Sequence, residues 1–211
     1  VAGKRANRQA LQRDLGLAAG DDPMLAFIGR LAQQKGADAL LAARESLSAL
    51  PVQIVVLASG DRALEQGFAQ WAAQMPDRVA VSTAYDEALA HRIEASADML
   101  IMPSRFEPCG LNQMYSLRYG TPPVVRATGG LEDTVVDVAE ATLADKTANG
   151  FVFAEATAHA LWLALERATR CWRDRKLWRR IQQNGMRRDF AWAHAVRDYV
   201  ALYRDAVAAH G

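Results

Sequence analysis

The chain has 211 residues, 51% of them hydrophobic, with 25 basic against 24 acidic residues and a formal net charge of +1. That is enough apolar material for one large core, and the charge is too balanced to build a long-range field aimed at nucleic acid or an anionic membrane. No apolar run approaches the roughly 20 residues needed to cross a bilayer, and Cys109 and Cys171 form neither a disulfide framework nor a zinc site, so a reduced, cytoplasmic setting is expected.

The opening "VAGKRANRQALQRDLGL" reads as a polar helix without an initiator methionine or the apolar centre of a signal peptide, the start of a piece cut from something longer. Short β-type runs follow: "PMLAFIG" (23–29), "VQIVVLA" (52–58), "RVAVSTA" (78–84), "ADMLIMP" (97–103), "PPVVRA" (122–127) and "GFVFA" (150–154). Between them "GADALLAARESLSAL", "RALEQGFAQWAAQM", "DEALAHRIEAS" and "GLNQMYSLRYG" carry apolar residues at helical spacing. Runs that are apolar on both faces imply a buried parallel sheet with helical crossovers on each side. After residue 155 the pattern is helical throughout, with Trp162, Trp172, Trp178 and Trp192 at packing positions, against the sheet or against a neighbour outside the chain. The expectation is a single α/β domain over 1–211: a doubly wound, Rossmann-like parallel sheet of about six strands with a helical C-terminal segment.

In such a sheet, ligands bind beyond the carboxyl ends of the strands. Arg30 and Lys35 fall there, in "GRLAQQKG"; two cations at a strand end can clamp a diphosphate, although solvated surface cations would look the same. Ser59, Gly60 and Asp61 follow the second run, and Tyr85 the third. The richest loop is "SRFEPCGLNQ", after the fourth run. A helix starting at about Leu111 would leave the amides of Gly110, Leu111 and Asn112 free to donate to a phosphate. Glu107 would repel that phosphate if aimed the same way; it suits sugar hydroxyls or a developing positive charge at an anomeric carbon, or else a helix cap. Cys109 reads as a small packed side chain rather than a nucleophile, with no histidine near it in sequence. "ATGGLEDTV" (127–135) reads as a tight turn before a helix. Neither a dinucleotide fingerprint nor a P-loop is present, there is no D-x-D, and His91, His159, His194 and His210 lack metal-ligand spacing.

Taken together, "FIGRLAQQKG", "SRFEPCGLNQMYSLRYGTPPVVRATGGLEDTV" and "GFVFAEATAHALWLALERA" closely resemble the C-terminal domain of the glycogen and starch synthase family, from about Lys4 to about Tyr203. The resemblance implies one half of a GT-B fold: the nucleotide-sugar domain of a two-domain retaining glycosyltransferase whose N-terminal acceptor domain is absent from this chain. It implies ADP-glucose (UDP-glucose in some members) as donor, the non-reducing end of an α-1,4-glucan as acceptor through the other domain, and neither metal, membrane nor nucleic acid as partner. The alternatives are another retaining GT-B enzyme using a UDP- or GDP-sugar, or a non-catalytic nucleotide-sugar-binding domain. By motif, Arg30 and Lys35 resemble the pair that holds the diphosphate, and Glu107 the carboxylate near the donor glucose. Gly110 to Asn112, beside Cys109, resemble the helix-terminus phosphate site, and Tyr85 the aromatic that stacks on adenine. Tyr115 stands where many other retaining GT-B enzymes carry a second glutamate, as it does in the glycogen and starch synthases. Asn112 replaces a common threonine, and Ala58 a common glycine, so the backbone at 58 must avoid positive φ.

Overall fold

The computed structural model describes residues 3–84 and 86–210. Six strands, β1 (Met24–Leu31), β2 (Gln53–Gly60), β3 (Val79–Ser82), β4 (Met99–Met102), β5 (Pro123–Arg126) and β6 (Phe151–Phe153), form one sheet in the order β3-β2-β1-β4-β5-β6. Every pairing is parallel. The helices, in chain order, are α1 (Lys4–Leu15), α2 (Ala37–Ala42), α3 (Arg44–Ser48), α4 (Arg62–Gln74), α5 (Glu87–Ser96) and α6 (Asn112–Arg118). They continue with α7 (Gly130–Thr134), α8 (Glu140–Ala144), α9 (Ala158–Arg173), α10 (Arg175–Met186) and α11 (Trp192–His210).

Strand periodicity divides the core in two. Leu25, Phe27, Ile54, Val56, Met99 and Ile101 pack on one side with α2, α4, α9 and α10, while Met24, Ala26, Val55, Leu57, Leu100 and Met102 pack on the other with α1, α5 and α7. Successive side chains point to opposite faces, so a strand covered on both sides must be apolar at every position. That is why the runs read as continuous rather than alternating. Trp172 and Trp178 join the first core, whereas Trp192 on α11 is 68% exposed. No described helix is long and apolar enough to cross a membrane.

The polar opening segment belongs to the fold. Lys4, Arg8 and Gln12 lie one turn apart on the inner face of α1, and all three are buried. Lys4 donates to the carbonyl oxygens of Glu94 and Ala95 and to the Thr121 hydroxyl, Arg8 pairs with Asp98, and Gln12 donates to Gly20 and Gln53. Burial lowers the Lys4 ammonium to about 8. Long polar side chains can line a core when most of their donors find acceptors, and here the Arg8 Nε is left without one among the described residues.

Two strands run further than their sequence suggests. The β1–β2 ladder continues to Leu31 opposite Gly60, so Arg30, Ser59 and Gly60 are strand residues rather than loop residues. Gly60 is required there, because a Cβ would lie 2.5 Å from the Leu31 carbonyl oxygen. Ala58 sits in the same strand, paired with Gly29, and among the described non-glycine residues only Lys146 has positive φ. Alanine at 58 is therefore unstrained. The stretch expected as one helix over 36–50 is two, α2 and α3, separated at Ala43.

The chain visits β1, β2 and β3 outward on one side, then crosses back so that β4 pairs on the other side of β1. The loops after β1 and β4 thus diverge from adjacent strands, leaving a crevice between them. Those loops are "AQQKG" (32–36) and "PSRFEPCGL" (103–111).

Candidate functional site

The two loops are tied together by Arg105. Its guanidinium forms a bidentate pair with Asp38 at 2.6 and 2.8 Å and also donates to the Gln33 carbonyl at 2.6 Å. Its backbone amide donates to the Gln34 carbonyl at 2.8 Å. The Arg105 hydrogen bonds hold the Asp38 carboxyl below the usual carboxylate range, and the guanidinium is raised in return. Gly36 allows the approach: its φ is +70°, and a Cβ would stand 2.1 Å from the Pro103 carbonyl oxygen.

Once the loops are locked, Lys35 reaches Glu107. Its ammonium lies 2.6 Å from Glu107 Oε2, which also accepts from the Ser104 hydroxyl at 3.0 Å. Glu107 is buried and Lys35 is only partly covered, so the pair sits at the inner wall of the crevice. Glu107 does not cap α6; its observed partners are Lys35 and Ser104. Arg30 stands on the same wall, donating to Gln34 at 3.3 Å.

The remainder of the turn is shaped for its backbone. Helix α6 starts at Asn112, one residue later than expected, and has no side-chain cap. Among the described residues, the amides of Gly110, Leu111 and Asn112 donate to no protein acceptor. The Asn112 side chain donates to the Ile28 carbonyl at 3.1 Å, pinning the helix start to the end of β1. Gln113 is fully buried beneath the turn and donates to the carbonyls of Cys109 and Gly110. Gly110 has φ +72°, and a Cβ there would meet the Gln113 amide at 2.4 Å. Cys109 is exposed, with its Sγ 3.5 Å from the Gly110 oxygen, not packed as a buried thiol.

Two supports were not apparent from sequence. Arg126, at the end of β5, donates to the carbonyls of Ser104 and Arg105 and so holds the turn from behind. "TGG" is more than a tight turn: the Gly130 amide donates to the Glu107 carbonyl at 3.1 Å. A Cβ at 129 would lie 2.4 Å from the Glu107 oxygen, and one at 130 would lie 2.0 Å from the Cys109 oxygen. The second glycine-containing motif is the bed on which "EPCG" lies. A signal was present in the consecutive glycines, but their partner was some twenty residues away in sequence.

The crevice contains a cavity of about 370 Å³ with Gly29, Arg30, Lys35, Ser59, Asn112 and Tyr115 in its wall. A smaller one of about 80 Å³ shares Lys35 and Asn112 and is lined by Ser104, Glu107, Gly110 and Leu111. The structure thus brings Arg30, Lys35, Glu107, Gly110, Leu111 and Asn112 to one place. Tyr85 lies outside the described residues; its neighbours Ala84 and Asp86 line the larger cavity. Cations, a carboxylate and undirected amides along one apolar-walled crevice can hold a phosphorylated sugar: anionic end on the cations and amides, hydroxyl-bearing end at the carboxylate.

A family model described as "Glycosyl transferases group 1" matches residues 9–188. Over 209 residues the chain is 62% identical to the glycogen synthase of Dechloromonas aromatica (strain RCB), covering 99% of this chain and 43% of that protein. It is 54% identical over 201 residues to the glycogen synthase of Aromatoleum aromaticum, covering 95% of this chain and 41% of the other. The chain therefore spans less than half the length of these relatives. Among solved structures, it is similar to the catalytic domain of starch synthase IV from Arabidopsis thaliana bound to ADP and acarbose, at 37% identity and a TM-score of 0.89. That match covers 98% of this chain and 43% of the other.

Proposed function

Because the chain belongs to the group 1 glycosyl transferases, we propose that it is the C-terminal, donor-binding domain of a glycogen synthase. In this reading it presents ADP-glucose to the non-reducing end of an α-1,4-glucan held by a second domain. The observation that carries the reading is the Lys35–Glu107 pair, 2.6 Å apart at the strand-order switch and beside three amides without acceptors among the described residues. The ADP and acarbose bound by the starch synthase support both the nucleotide and the sugar parts of it.

We assign Arg30 and Lys35 to the diphosphate. As the bond from the glucose C1 to the diphosphate oxygen breaks, charge accumulates on that oxygen, and fixed cations lower the barrier because they need no reorganisation. The amides of Gly110, Leu111 and Asn112 extend the same cradle, with charge neutralisation falling to these groups rather than to a metal. Glu107 faces the glucosyl centre, where its carboxylate opposes the positive charge of an oxocarbenium-like state. The acceptor hydroxyl attacks from the face of departure, which preserves configuration, and its proton passes to the leaving phosphate. Tyr85 is assigned to the adenine face, and Cys109 contributes its backbone position in the turn.

Calorimetric titration of the chain with ADP, UDP and GDP, without added metal, tests the donor class. ADP should bind most tightly. Preference for UDP or GDP would move the chain to a different sugar-nucleotide specificity, and no binding by any of them would remove the donor-site reading.

A further inference from the structure

Glu94, in the last turn of α5, is 3% exposed and yet lines the larger cavity of the crevice. Its Oε2 has no hydrogen-bond partner among the described residues. Two neighbours carry donors, and neither serves it. Lys4 has three N–H donors, and they go to the Glu94 and Ala95 backbone carbonyls and to the Thr121 hydroxyl, not to the carboxylate. His91 Nδ1 stands 3.7 Å away, beyond hydrogen-bond reach, and lies 3.3 Å from the Tyr119 hydroxyl. Burial pushes the Glu94 carboxyl up to about 7, with Lys4 pulling the other way. A buried carboxylate oxygen without a donor opposes folding, and the attraction of Lys4 offsets that only in part. Such a group is explained when something entering the cavity brings the missing donor.

We propose that Glu94 reads the nucleoside: its carboxylate accepts a hydrogen bond from a donor on the nucleoside part of the bound nucleotide. The inference rests on the donor-site reading above, which places phosphates at Arg30 and Lys35 in the same cavity wall and leaves the rest of that cavity to the nucleoside. Two nucleoside groups offer the right chemistry, a ribose hydroxyl and the exocyclic amine of adenine. A Glu94 that reads either of them contributes to affinity without touching the transferred sugar.

The test is a titration cycle on wild type, Glu94→Met and Glu94→Gln with ADP, 2′-deoxy-ADP, 3′-deoxy-ADP and inosine diphosphate. Glu94→Met should weaken ADP about tenfold, which corresponds to roughly 1.4 kcal/mol. One analogue should lose a similar factor on wild type and lose little more on Glu94→Met. A deoxy analogue behaving this way identifies a ribose hydroxyl as the donor, and inosine diphosphate identifies the amine. If Glu94→Met does not fold, Glu94→Gln carries the same cycle with a smaller loss. ADP binding within twofold of wild type in the variants, or analogue losses that simply add to the variant's loss, overturns the inference and leaves the donor site standing. Failure of the wild type to bind ADP at all removes both.

Discussion

Lys35→Ala is expected to weaken ADP binding by about ten- to a hundredfold and to lower the unfolding free energy by about 2–3 kcal/mol. The first figure follows from losing a charge-assisted contact to phosphate, worth about 1.5–3 kcal/mol. The second follows from leaving Glu107 without its cation. Removing one partner of a fully buried pair costs about 3–5 kcal/mol, and the lower figure is used because Lys35 keeps a side-chain exposure of 24% while Glu107 has 9%. The two effects can be separated. Adding Glu107→Gln to Lys35→Ala removes the orphaned charge and should restore most of the stability, while ADP binding stays weak. Calorimetry and denaturant unfolding on the wild type and the two variants would show it. If the double variant regains ADP affinity, Lys35 acts on Glu107 and not on phosphate, and its assignment to the diphosphate is wrong.

Gly130→Ala should be as damaging to binding although residue 130 touches no ligand. Its Cβ would lie 2.0 Å from the Cys109 carbonyl oxygen and 2.6 Å from the Cys109 Cα, both backbone atoms that no rotamer change can move. A carbon–oxygen contact needs roughly 3.5 Å, so the "EPCG" turn or α7 must retreat by more than an ångström. Displacements of that size at a positioned group cost on the order of a hundredfold, and overpacking adds roughly 1–3 kcal/mol of destabilisation. ADP affinity should therefore fall at least about thirtyfold with the helical circular dichroism retained. Gly20→Ala is the control, since a Cβ at that position meets nothing within 4 Å. Wild-type affinity in Gly130→Ala would show that the turn tolerates movement, and that the stacked loops do not set its geometry.

The structure also shows why some of this was legible and some was not. All six strands were visible because a parallel sheet covered on both faces demands uninterrupted apolar runs, and Leu25 to Ile28 or Met99 to Met102 supply them. Their carboxyl ends were read short, since Gly29 looked like a terminator, while the ladder to β2 depends on backbone groups that any residue provides. Arg30, Lys35 and Glu107 stood out as chemistry at strand ends, and the fold brings them into one crevice. The residues that hold them there did not stand out. Arg105, Asp38 and Arg126 look like ordinary surface charges until tertiary contacts turn them into clamps on carbonyls and on one another. Lys4, Arg8 and Gln12 contradict the usual direction of burial, because their acceptors come from segments far away in sequence. Glu94 belongs with them: hydropathy gives no sign that an acidic residue on an exposed-looking helix faces inward without a donor.

The measurement closest to the central claim is amide chemical-shift mapping of the isotopically labelled chain as ADP is added without metal. The backbone amides of Gly110, Leu111 and Asn112 should shift most strongly, together with Arg30 and Lys35, while Gly185 on α10 stays still. Shifts concentrated elsewhere, for example on the arginine-rich groove formed by Arg5, Arg175 and Arg179, with the turn unaffected, would contradict it.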